Sequence, residues 1–322
     1  MGATATSQKM TLRFIADNDL MMFTSDEDHR RELLPMAVPG ANLKLEVRRL
    51  VTGEEPAVLN FLNRQPLRNV AMIGFIRDHG LESERNRGTF YGCFRNGWLI
   101  GVALLGHFVI LSGPEETLPV FADVARLWHE DEIRVVLGNQ ETIGLFGRLL
   151  KQTSSSPKLP VREAHVLWAL TEATDDDIEM LDVRPARLDE LEEVTQVHAQ
   201  AYREQLSVDP LAMDPHGFRQ RVQSRVEKGR VWIARDAQGI AFKADVPFDT
   251  GEAIYLEGVW VRPELRGAGC GRQMMKALCQ LLLQEHHVVC LFSRADDQRA
   301  MSFYQRVGFQ SLAPYQIIRY ES

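Results

Sequence analysis

Apolar positions in the second half of the chain recur at two periods, and each period predicts one kind of element. Around 188–201 and 218–226 they fall three and four residues apart, which is typical of helices with one buried face. Short apolar runs bounded by Gly, Asp or Pro predict strands. From residue 181 onward the predicted order is β-α-α-β-β-β-α-β-α-β.

Local signals place the boundaries of these elements. Asp214 followed by Pro215 begins a helix, and Gly229 ends it. A tight turn at 236–239 joins two strands, and Gly308 ends the last helix. The predicted strands are 181–184, 230–235, 240–246, 253–261 and 288–292 with short terminal strands after them, and the predicted helices are 188–201, 214–228, 271–285 and 297–307.

The first half repeats this pattern of elements without repeating its residues. The run Arg95-Asn96-Gly97 lies between two apolar segments and predicts a β-hairpin. The predicted strands are 90–94, 98–105, 108–111 and 133–137, and the predicted helices are 115–128 and 142–150. The sequence therefore predicts two domains of one α/β architecture.

Length and composition agree with two domains in a soluble globular protein. The 322 residues exceed what one hydrophobic core usually supports. A net charge of −7 favours neither nucleic acid nor an anionic membrane as partner. The N-terminus lacks the features of a secretory signal, and the four cysteines show no metal-ligand spacing. We expect a cytoplasmic protein without a metal site.

Changes in composition divide the chain into four segments. Residues 1–42 are weakly patterned and form an N-terminal extension. The first domain covers 43–171 and contains a Ser-rich loop at 153–157. The acidic run at 172–180 is a linker, and 181–322 is the second domain.

The segment 256–271 carries the chemistry, because a strand is followed by three closely spaced glycines and then an amphipathic helix. Glycines let the backbone approach a ligand, and a helix start offers unpaired N–H groups and partial positive charge, so together they suit a pyrophosphate. A Walker A loop would need Lys-Ser or Lys-Thr after Gly271, where this chain has Arg272-Gln273. The spacing Gly267-x-Gly269-x-Gly271 also differs from the dinucleotide fingerprint GxGxxG.

These residues resemble the GNAT family of N-acetyltransferases. Arg266, Gly269 and Gly271 match its Arg/Gln-x-x-Gly-x-Gly/Ala motif, and the lead-in 261–267 reads Val-x-Pro-Glu-x-Arg-Gly. A second segment matches the family's closing pattern through residues spaced along the last helix, namely Ala300, Tyr304, Gly308 and Phe309. The chain departs from that pattern at its first position, where Asp297 replaces Asn.

Over its full length the chain is similar to bacterial tandem-GNAT proteins with an N-terminal DUF4081 region. The resemblance implies an α/β (α+β) fold of two GNAT-like domains, each a mixed, mostly antiparallel sheet flanked by helices. In the first half the position of the glycine loop reads 111–116, Leu-Ser-Gly-Pro-Glu-Glu, whose acidic residues would repel phosphate. We therefore expect a degenerate N-terminal domain and one acetyl-CoA site in the second domain.

The resemblance also implies which residues contact acetyl-CoA. The thioester would lie in a splay between strands 253–261 and 288–292, where backbone N–H groups polarise its carbonyl. Arg266 would pair with a phosphate, or form a surface ion pair. The expected contacts are Val259, Trp260, Val261, Arg266, Gly267, Ala268, Gly269, Cys270, Gly271 and Arg272.

Two residues are candidates for proton transfer. Glu257 is a carboxylate in an apolar strand, on one face with Tyr255 and Val259, and is the candidate base; the alternative is a salt bridge with Lys243 or Arg294. Tyr304 is the candidate acid for the leaving thiolate, and the alternative is a core tyrosine.

Two further residues bear on the acceptor. Glu204 falls where the family builds its acceptor pocket, which points to amine binding, against a solvated helix end. His198 lies on the apolar face of a helix and is interpreted as a satisfied core histidine.

Three functions remain open from the sequence. The first is transfer of an acetyl group from acetyl-CoA to a primary amine, in a small molecule or peptide, by direct attack in a ternary complex. The second is a catalytically silent acyl-CoA-binding regulatory module. The third is a partner protein whose degenerate half mediates dimerisation, so a homodimer stays open.

Overall fold

The computed structural model describes residues 45–129, 133–151, 160–173, 182–206 and 208–320. The extension predicted at 1–42, the Ser-rich loop at 153–157 and most of the predicted acidic linker lie outside these residues. No helix within the described ranges is both long enough and apolar enough to cross a membrane.

Strands and helices occur along the whole of the described chain. The strands are β1 (Leu45–Arg49), β2 (Gly88–Arg95), β3 (Trp98–Gly106), β4 (Phe108–Ser112), β5 (Val135–Asn139), β6 (Pro160–Leu170), β7 (Val183–Pro185), β8 (Val231–Asp236), β9 (Gly239–Asp249), β10 (Ala253–Val261), β11 (Val288–Arg294) and β12 (Gln310–Tyr320). The helices are α1 (Glu55–Leu62), α2 (Val70–His79), α3 (Leu118–His129), α4 (Gln140–Lys151), α5 (Leu191–Leu206), α6 (Pro210–Met213), α7 (Pro215–Glu227), α8 (Cys270–Leu282) and α9 (Gln298–Val307).

These elements form two compact units. The N-terminal unit contains the described residues up to His165 together with 313–320, and the C-terminal unit contains Val166–Leu312. Two strands are divided between the units, which the predicted domain boundaries do not include. The last five residues of β6 belong to the C-terminal unit, and most of β12 belongs to the N-terminal unit. The predicted linker at 172–180 is therefore not the division between the units.

The sheet of the N-terminal unit is mixed and mostly antiparallel. Strands β1, β2, β3 and β4 pair antiparallel in sequence order, β4 and β5 pair parallel, and β5 pairs antiparallel with β12. Helices α3 and α4 pack on this sheet through Phe121, Phe146 and their apolar neighbours. Ile318 of β12 is a fully buried member of the same core, which explains why the last strand belongs to this unit.

The C-terminal unit repeats the succession of strand pairings. Strands β7, β8, β9 and β10 pair antiparallel, and β10 and β11 pair parallel. One face packs on α8 through Leu256, Leu278 and Leu291, and this cluster is called the α8-side core. The other face packs on α5 and α7 through Val194 and Phe218, and this cluster is called the α5–α7-side core. The predicted fold class, a mostly antiparallel mixed sheet flanked by helices, is confirmed.

Several local signals act as predicted. The Asp214 carboxylate accepts a hydrogen bond of 2.9 Å from the Gly217 N–H at the start of α7, and Phe218, Val222 and Val226 are buried. Gly308 ends α9 with a φ of 118°, a conformation that favours glycine. The predicted short terminal strands are instead one strand, β12.

Candidate active site

Strands β10 and β11 separate in the middle of the C-terminal sheet. Their parallel pairing runs from Ala253 opposite Val288 to Leu256 opposite Leu291 and then stops. Both strands continue beyond that point, β10 to Val261 and β11 to Arg294. The result is a V-shaped splay whose two edges have backbone groups that no longer pair with each other, at the place the resemblance implied for the thioester.

A β-bulge in β10 sets which side chains face each side of the splay. Glu257 lies opposite Asp245 on β9, but Trp260 already lies opposite Lys243, so three steps on β10 match two on β9. Gly258 has a φ of 58°, which glycine adopts without strain. The prediction that Val259 shares a face with Glu257 is therefore wrong, because the bulge reverses the alternation and Val259 packs against the α8-side core.

The glycine loop after β10 presents an open backbone surface. Gly267 and Gly269 have φ values of +86° and +88°, and no described atom lies within 4 Å of a Cβ placed on either. Gly271 has a different role, since its Cβ would meet a methyl carbon of Val261 at 2.8 Å. Two glycines therefore leave room for a ligand, and the third lets α8 approach β10 closely.

Helix α8 begins in this loop without a side-chain cap. Gly269 is its N-cap and offers no side chain to the first N–H groups of the helix. These donors and the positive end of the helix dipole face the open surface in front of Gly267 and Gly269. Ala268 and Arg272 are exposed at the same loop, and Cys270 is half-buried. The arrangement fits the pyrophosphate of a CoA thioester.

The Arg266 side chain is engaged inside the protein. Its Nε donates to the Val261 carbonyl at 2.7 Å, and its guanidinium donates to the Glu204 carboxylate at 2.7 Å. Burial alone would raise the pKa of Glu204, but hydrogen bonds from Arg266 and Gln200 outweigh it and lower that pKa. Phosphate binding by Arg266 and amine binding by Glu204 thus remain predictions, and each would require a rearrangement of this pair.

Helix α5 also touches the bulge from the α5–α7 side. The Gln205 side chain donates to the Val259 carbonyl at 3.3 Å. Trp260 is buried in the α5–α7-side core, so only its backbone is available at the splay. Contacts of Val259, Trp260 and Val261 with a ligand stay a prediction, and Trp260 can make one at the splay only through its backbone.

Glu257 is buried beneath α5 and α7 among other charged side chains. Its carboxylate lies 3.9 Å from the Arg225 guanidinium of α7, which lies at the same distance from Asp245. Lys243 pairs with Asp245 at 2.5 Å, and Arg294 pairs with its neighbour Asp296. Arg225, a cation that the sequence analysis did not single out, thus belongs to the network around Glu257.

The buried network extends to α5. His198 Nε2 lies 3.6 Å from the Asp245 carboxylate, and both side chains are about 1% exposed. His198 also packs on Phe218 and Tyr202 at 5.6 Å between ring centroids. Asp245 was missed, and Lys243 was named only as a possible partner of Glu257, although both gave the signal that identified Glu257, a charged residue inside an apolar strand.

Tyr304 of α9 is half-buried and surrounded by aromatic rings. Phe303, Phe309 and Trp168 lie at 5.3, 5.8 and 6.3 Å between ring centroids. Trp168 comes from β6, and its indole N–H donates to the Ser293 hydroxyl at 2.8 Å. Sequence reasoning missed Trp168 because nothing local marks a strand residue that contacts a helix more than 130 positions later.

Tyr255 links the two candidate proton-transfer residues. Its side chain is buried between Phe248 and Phe292, with ring centroids 5.9 and 5.6 Å away. Burial raises its pKa well above the usual value, and the nearby Glu257, Cys290 and Tyr304 raise it further. Glu257 and Tyr304 are therefore both within electrostatic reach of one phenol.

The corresponding loop of the N-terminal unit is built differently. Pro114 has no N–H, and its carbonyl accepts both the N–H and the hydroxyl of Thr117, at 3.0 and 2.7 Å. Glu116 forms an ion pair with Arg95. An open cleft of about 510 Å³ lies nearby, lined by Glu115, Arg148 and other residues. This loop thus has a proline and an ion-paired glutamate, whereas the loop at Gly267–Gly271 has two glycines whose Cβ positions lie in open space.

Residues 227–311, which include the glycine loop, match the family model described as an acetyltransferase (GNAT) domain. That match covers only part of the C-terminal unit. It supports a GNAT acetyltransferase domain in the second half of the chain.

One curated relative is similar to a short stretch of the chain. It is the thialysine N-epsilon-acetyltransferase of Bos taurus, 35% identical over 63 residues. The aligned stretch is 19% of this chain and 37% of that protein, so the chain covers well under half of the relative.

Solved structures share the fold over most of the chain. A GCN5-related N-acetyltransferase from Sphaerobacter thermophilus has a TM-score of 0.56 at 16% identity, covering 85% of this chain and 95% of that one. A GNAT-family acetyltransferase from Colwellia psychrerythraea has a TM-score of 0.55 at 11% identity, with coverages of 85% and 99%. A tandem GNAT protein from the clavulanic acid biosynthesis pathway has a TM-score of 0.51 at 14% identity, with coverages of 85% and 97%.

Proposed function

We propose that the C-terminal unit transfers an acetyl group from acetyl-CoA to a primary amine, by direct attack within a ternary complex. The observation that carries the proposal is the open loop at Gly267–Gly271, placed at the mouth of the splay between β10 and β11. Two glycines with positive φ leave open space there, and an uncapped helix start supplies N–H donors. CoA bound at this loop would supply an activated acetyl thioester.

The side chains around the splay have distinct roles in this proposal. Glu257 takes a proton from the attacking amine, and the Arg225 guanidinium lies 3.9 Å from its carboxylate. Tyr304 donates a proton to the leaving thiolate. Backbone N–H groups between Val259 and Val261 polarise the thioester carbonyl, which develops negative charge during attack.

The acceptor side of the site lies under α5 and α7. The polar side chains there are Glu257, Asp245 and Lys243 on the sheet, with Arg225 and His198 facing them from α7 and α5. A relative named for thialysine acetylation makes a small amine of that kind a rational first acceptor to test. The N-terminal unit is proposed to be a degenerate GNAT copy, of the DUF4081 type, that binds no CoA at its own loop.

The test is a panel of amines with acetyl-CoA, read as free thiol release. The panel contains thialysine, lysine, polyamines and peptide N-termini. Gly269→Asp should abolish CoA binding and turnover, because a carboxylate would enter the phosphate surface and φ of +88° disfavours any side chain. Calorimetry with CoA measures the binding directly, and about one site per chain is expected.

The matched control is Gly229→Asp at the end of α7. Gly229 also has a positive φ, +66°, and no described atom within 4 Å of its Cβ, so this variant has similar strain and the same added charge. Unchanged CoA affinity in Gly269→Asp, or equal losses in both variants, would sink the proposed site. Tight CoA binding without turnover on any amine would favour the silent acyl-CoA-binding module instead.

A further inference from the structure

We propose that Trp168 is a positioning residue of this active site: anchored by its bond to Ser293, it holds the phenol of Tyr304 and the splayed end of β11 in place. The inference rests on the proposed function, in which Tyr304 protonates the leaving thiolate. It places a residue of β6, a strand that begins in the N-terminal unit, within the machinery of the C-terminal unit.

The orientation of the Trp168 ring is fixed. Trp168 and Ser293 are each about 1% exposed, and the indole N–H donates to the Ser293 hydroxyl at 2.8 Å. A buried indole N–H without an acceptor is costly, so the ring cannot rotate away from Ser293 without a penalty. Trp168 is therefore a rigid wall rather than an adaptable core side chain.

Ser293 lies where β11 has lost a neighbour. Pairing between β10 and β11 ends at Leu291, and Ser293 follows two residues later on the splayed part of β11. Strand β6 neighbours β11 on the side away from β10. The hydrogen bond from Trp168 therefore holds β11 to β6 at the point where β11 no longer pairs with β10.

The same ring borders Tyr304. Trp168 and Tyr304 have ring centroids 6.3 Å apart at 44°, and Phe309 is 5.8 Å from Tyr304 at 71°. Both neighbours are aromatic and both belong to the α8-side core. Tyr304 is half-buried, and these two rings border its phenol. Trp168 thus restricts the arc in which the Tyr304 hydroxyl moves.

A double-mutant cycle separates positioning from simple core filling. The variants are Trp168→Phe, Tyr304→Phe, their combination and Ser293→Ala, with Trp98→Phe as the matched control on an indole that is 78% exposed. Kinetics are measured with acetyl-CoA and thialysine, or with the best amine of the panel. Trp168→Phe should lower kcat about tenfold with KM for acetyl-CoA nearly unchanged, and Ser293→Ala should lower kcat in the same direction.

The cycle decides between the two roles. In the Tyr304→Phe background, Trp168→Phe should change kcat less than about twofold, because the group it positions is gone. An equal fold-loss in both backgrounds would overturn the inference in favour of core filling. If Tyr304→Phe impairs turnover while Trp168→Phe does not, the inference falls and the proposed acid stands. If Tyr304→Phe turns over normally, the proposed acid itself falls.

A readout without turnover completes the test. The six tyrosines are labelled with carbon-13 in their rings, and the Tyr304 resonance is identified by its loss in Tyr304→Phe. In Trp168→Phe this resonance should move and broaden, because a fixed indole no longer borders the ring. In Trp98→Phe it should stay. An unmoved Tyr304 resonance in Trp168→Phe would overturn the inference even if no acceptor has been found.

Discussion

At the scale of single residues, a substitution of Glu257, the buried carboxylate of β10, tests the proposed proton transfer most directly. Glu257→Gln keeps the size of the side chain and removes its capacity to accept a proton. If Glu257 is the base, turnover should fall by about 10²–10⁴ while CoA affinity stays near the unmodified value. Steady-state kinetics and calorimetry check the two halves of this prediction.

A carboxylate outside the splay provides the control for that substitution. The substitution Glu264→Gln makes the same change from a carboxylate to an amide, at an exposed position where the Arg262 guanidinium lies 3.8 Å away. Glu264→Gln should leave turnover unchanged. Normal turnover in Glu257→Gln would return Glu257 to a structural partner of Arg225, and proximity alone would then account for acetyl transfer.

Residues of the site differ in how well the sequence reveals them. Gly267, Gly269 and Gly271 stand out in the sequence because the strand, the turn and the helix start around them are consecutive. Gly258 also carried a signal, since an isolated glycine inside a strand pattern indicates a bulge. Trp168 carried none, because its contact with Tyr304 depends on how distant strands and helices meet.

At the scale of elements, an ion pair links β7 to the turn before α5. Arg184 binds the Glu190 carboxylate through two bonds of 2.8 and 2.9 Å, and the Arg187 N–H donates to it at 2.9 Å. The Arg184 bonds lower the pKa of Glu190 from 4.5 to about 2. A lowered acid pKa stabilises the fold above pH 4.5, and that stability is lost as the pH falls toward 2.

The lowered pKa of Glu190 predicts how the stability of the fold depends on pH. Glu190→Gln should lower the free energy of unfolding by about 2 kcal/mol at pH 7, and by clearly less at pH 3. Urea unfolding at both pH values measures the difference. Glu192→Gln, at a side chain 70% exposed beside Arg219, should cost little at either pH. A Glu190 effect that does not shrink at pH 3 would contradict the assignment of stability to the ionised pair.

Helix α7 was predicted because one of its faces is polar, and helix α2, which is buried over most of its length, was not. Helix α7 shows its period through Phe218, Val222 and Val226, and its start through Asp214. Helix α2 is buried at every position from Val70 to Ile76, so its sequence shows no alternation of apolar and polar residues. Periodicity finds a helix only when one side of it stays in water.

At the scale of the whole molecule, the C-terminal unit should need the end of β6. Trp168 and Leu170 are buried members of the α8-side core, yet the domain predicted from sequence begins at residue 181. A fragment 181–322 should melt at least about 10 °C below a fragment 160–322, because losing each large core side chain costs roughly 3 kcal/mol. Circular dichroism and CoA calorimetry on both fragments give the comparison.

A point variant separates the side chains from the added strand. Trp168→Ala in the fragment 160–322 should melt between the two fragments, since only one of the two core side chains is lost. Equal melting temperatures for 160–322 and 181–322 would show that the strand contributes nothing to this unit. The predicted domain at 181–322 would then be the better description.

The place of β12 has a consequence for how the chain is made. Ribosomes synthesise proteins from the N-terminus at about 5–20 residues per second. The N-terminal unit emerges first, but its residues 313–320, which pair with β5, follow only after the whole C-terminal unit. For roughly 10–30 seconds β5 is an open strand edge, and open edges invite pairing with other chains. The unit that is translated first is therefore the one that is finished last, and the nascent chain has to be protected at β5 until its final strand arrives.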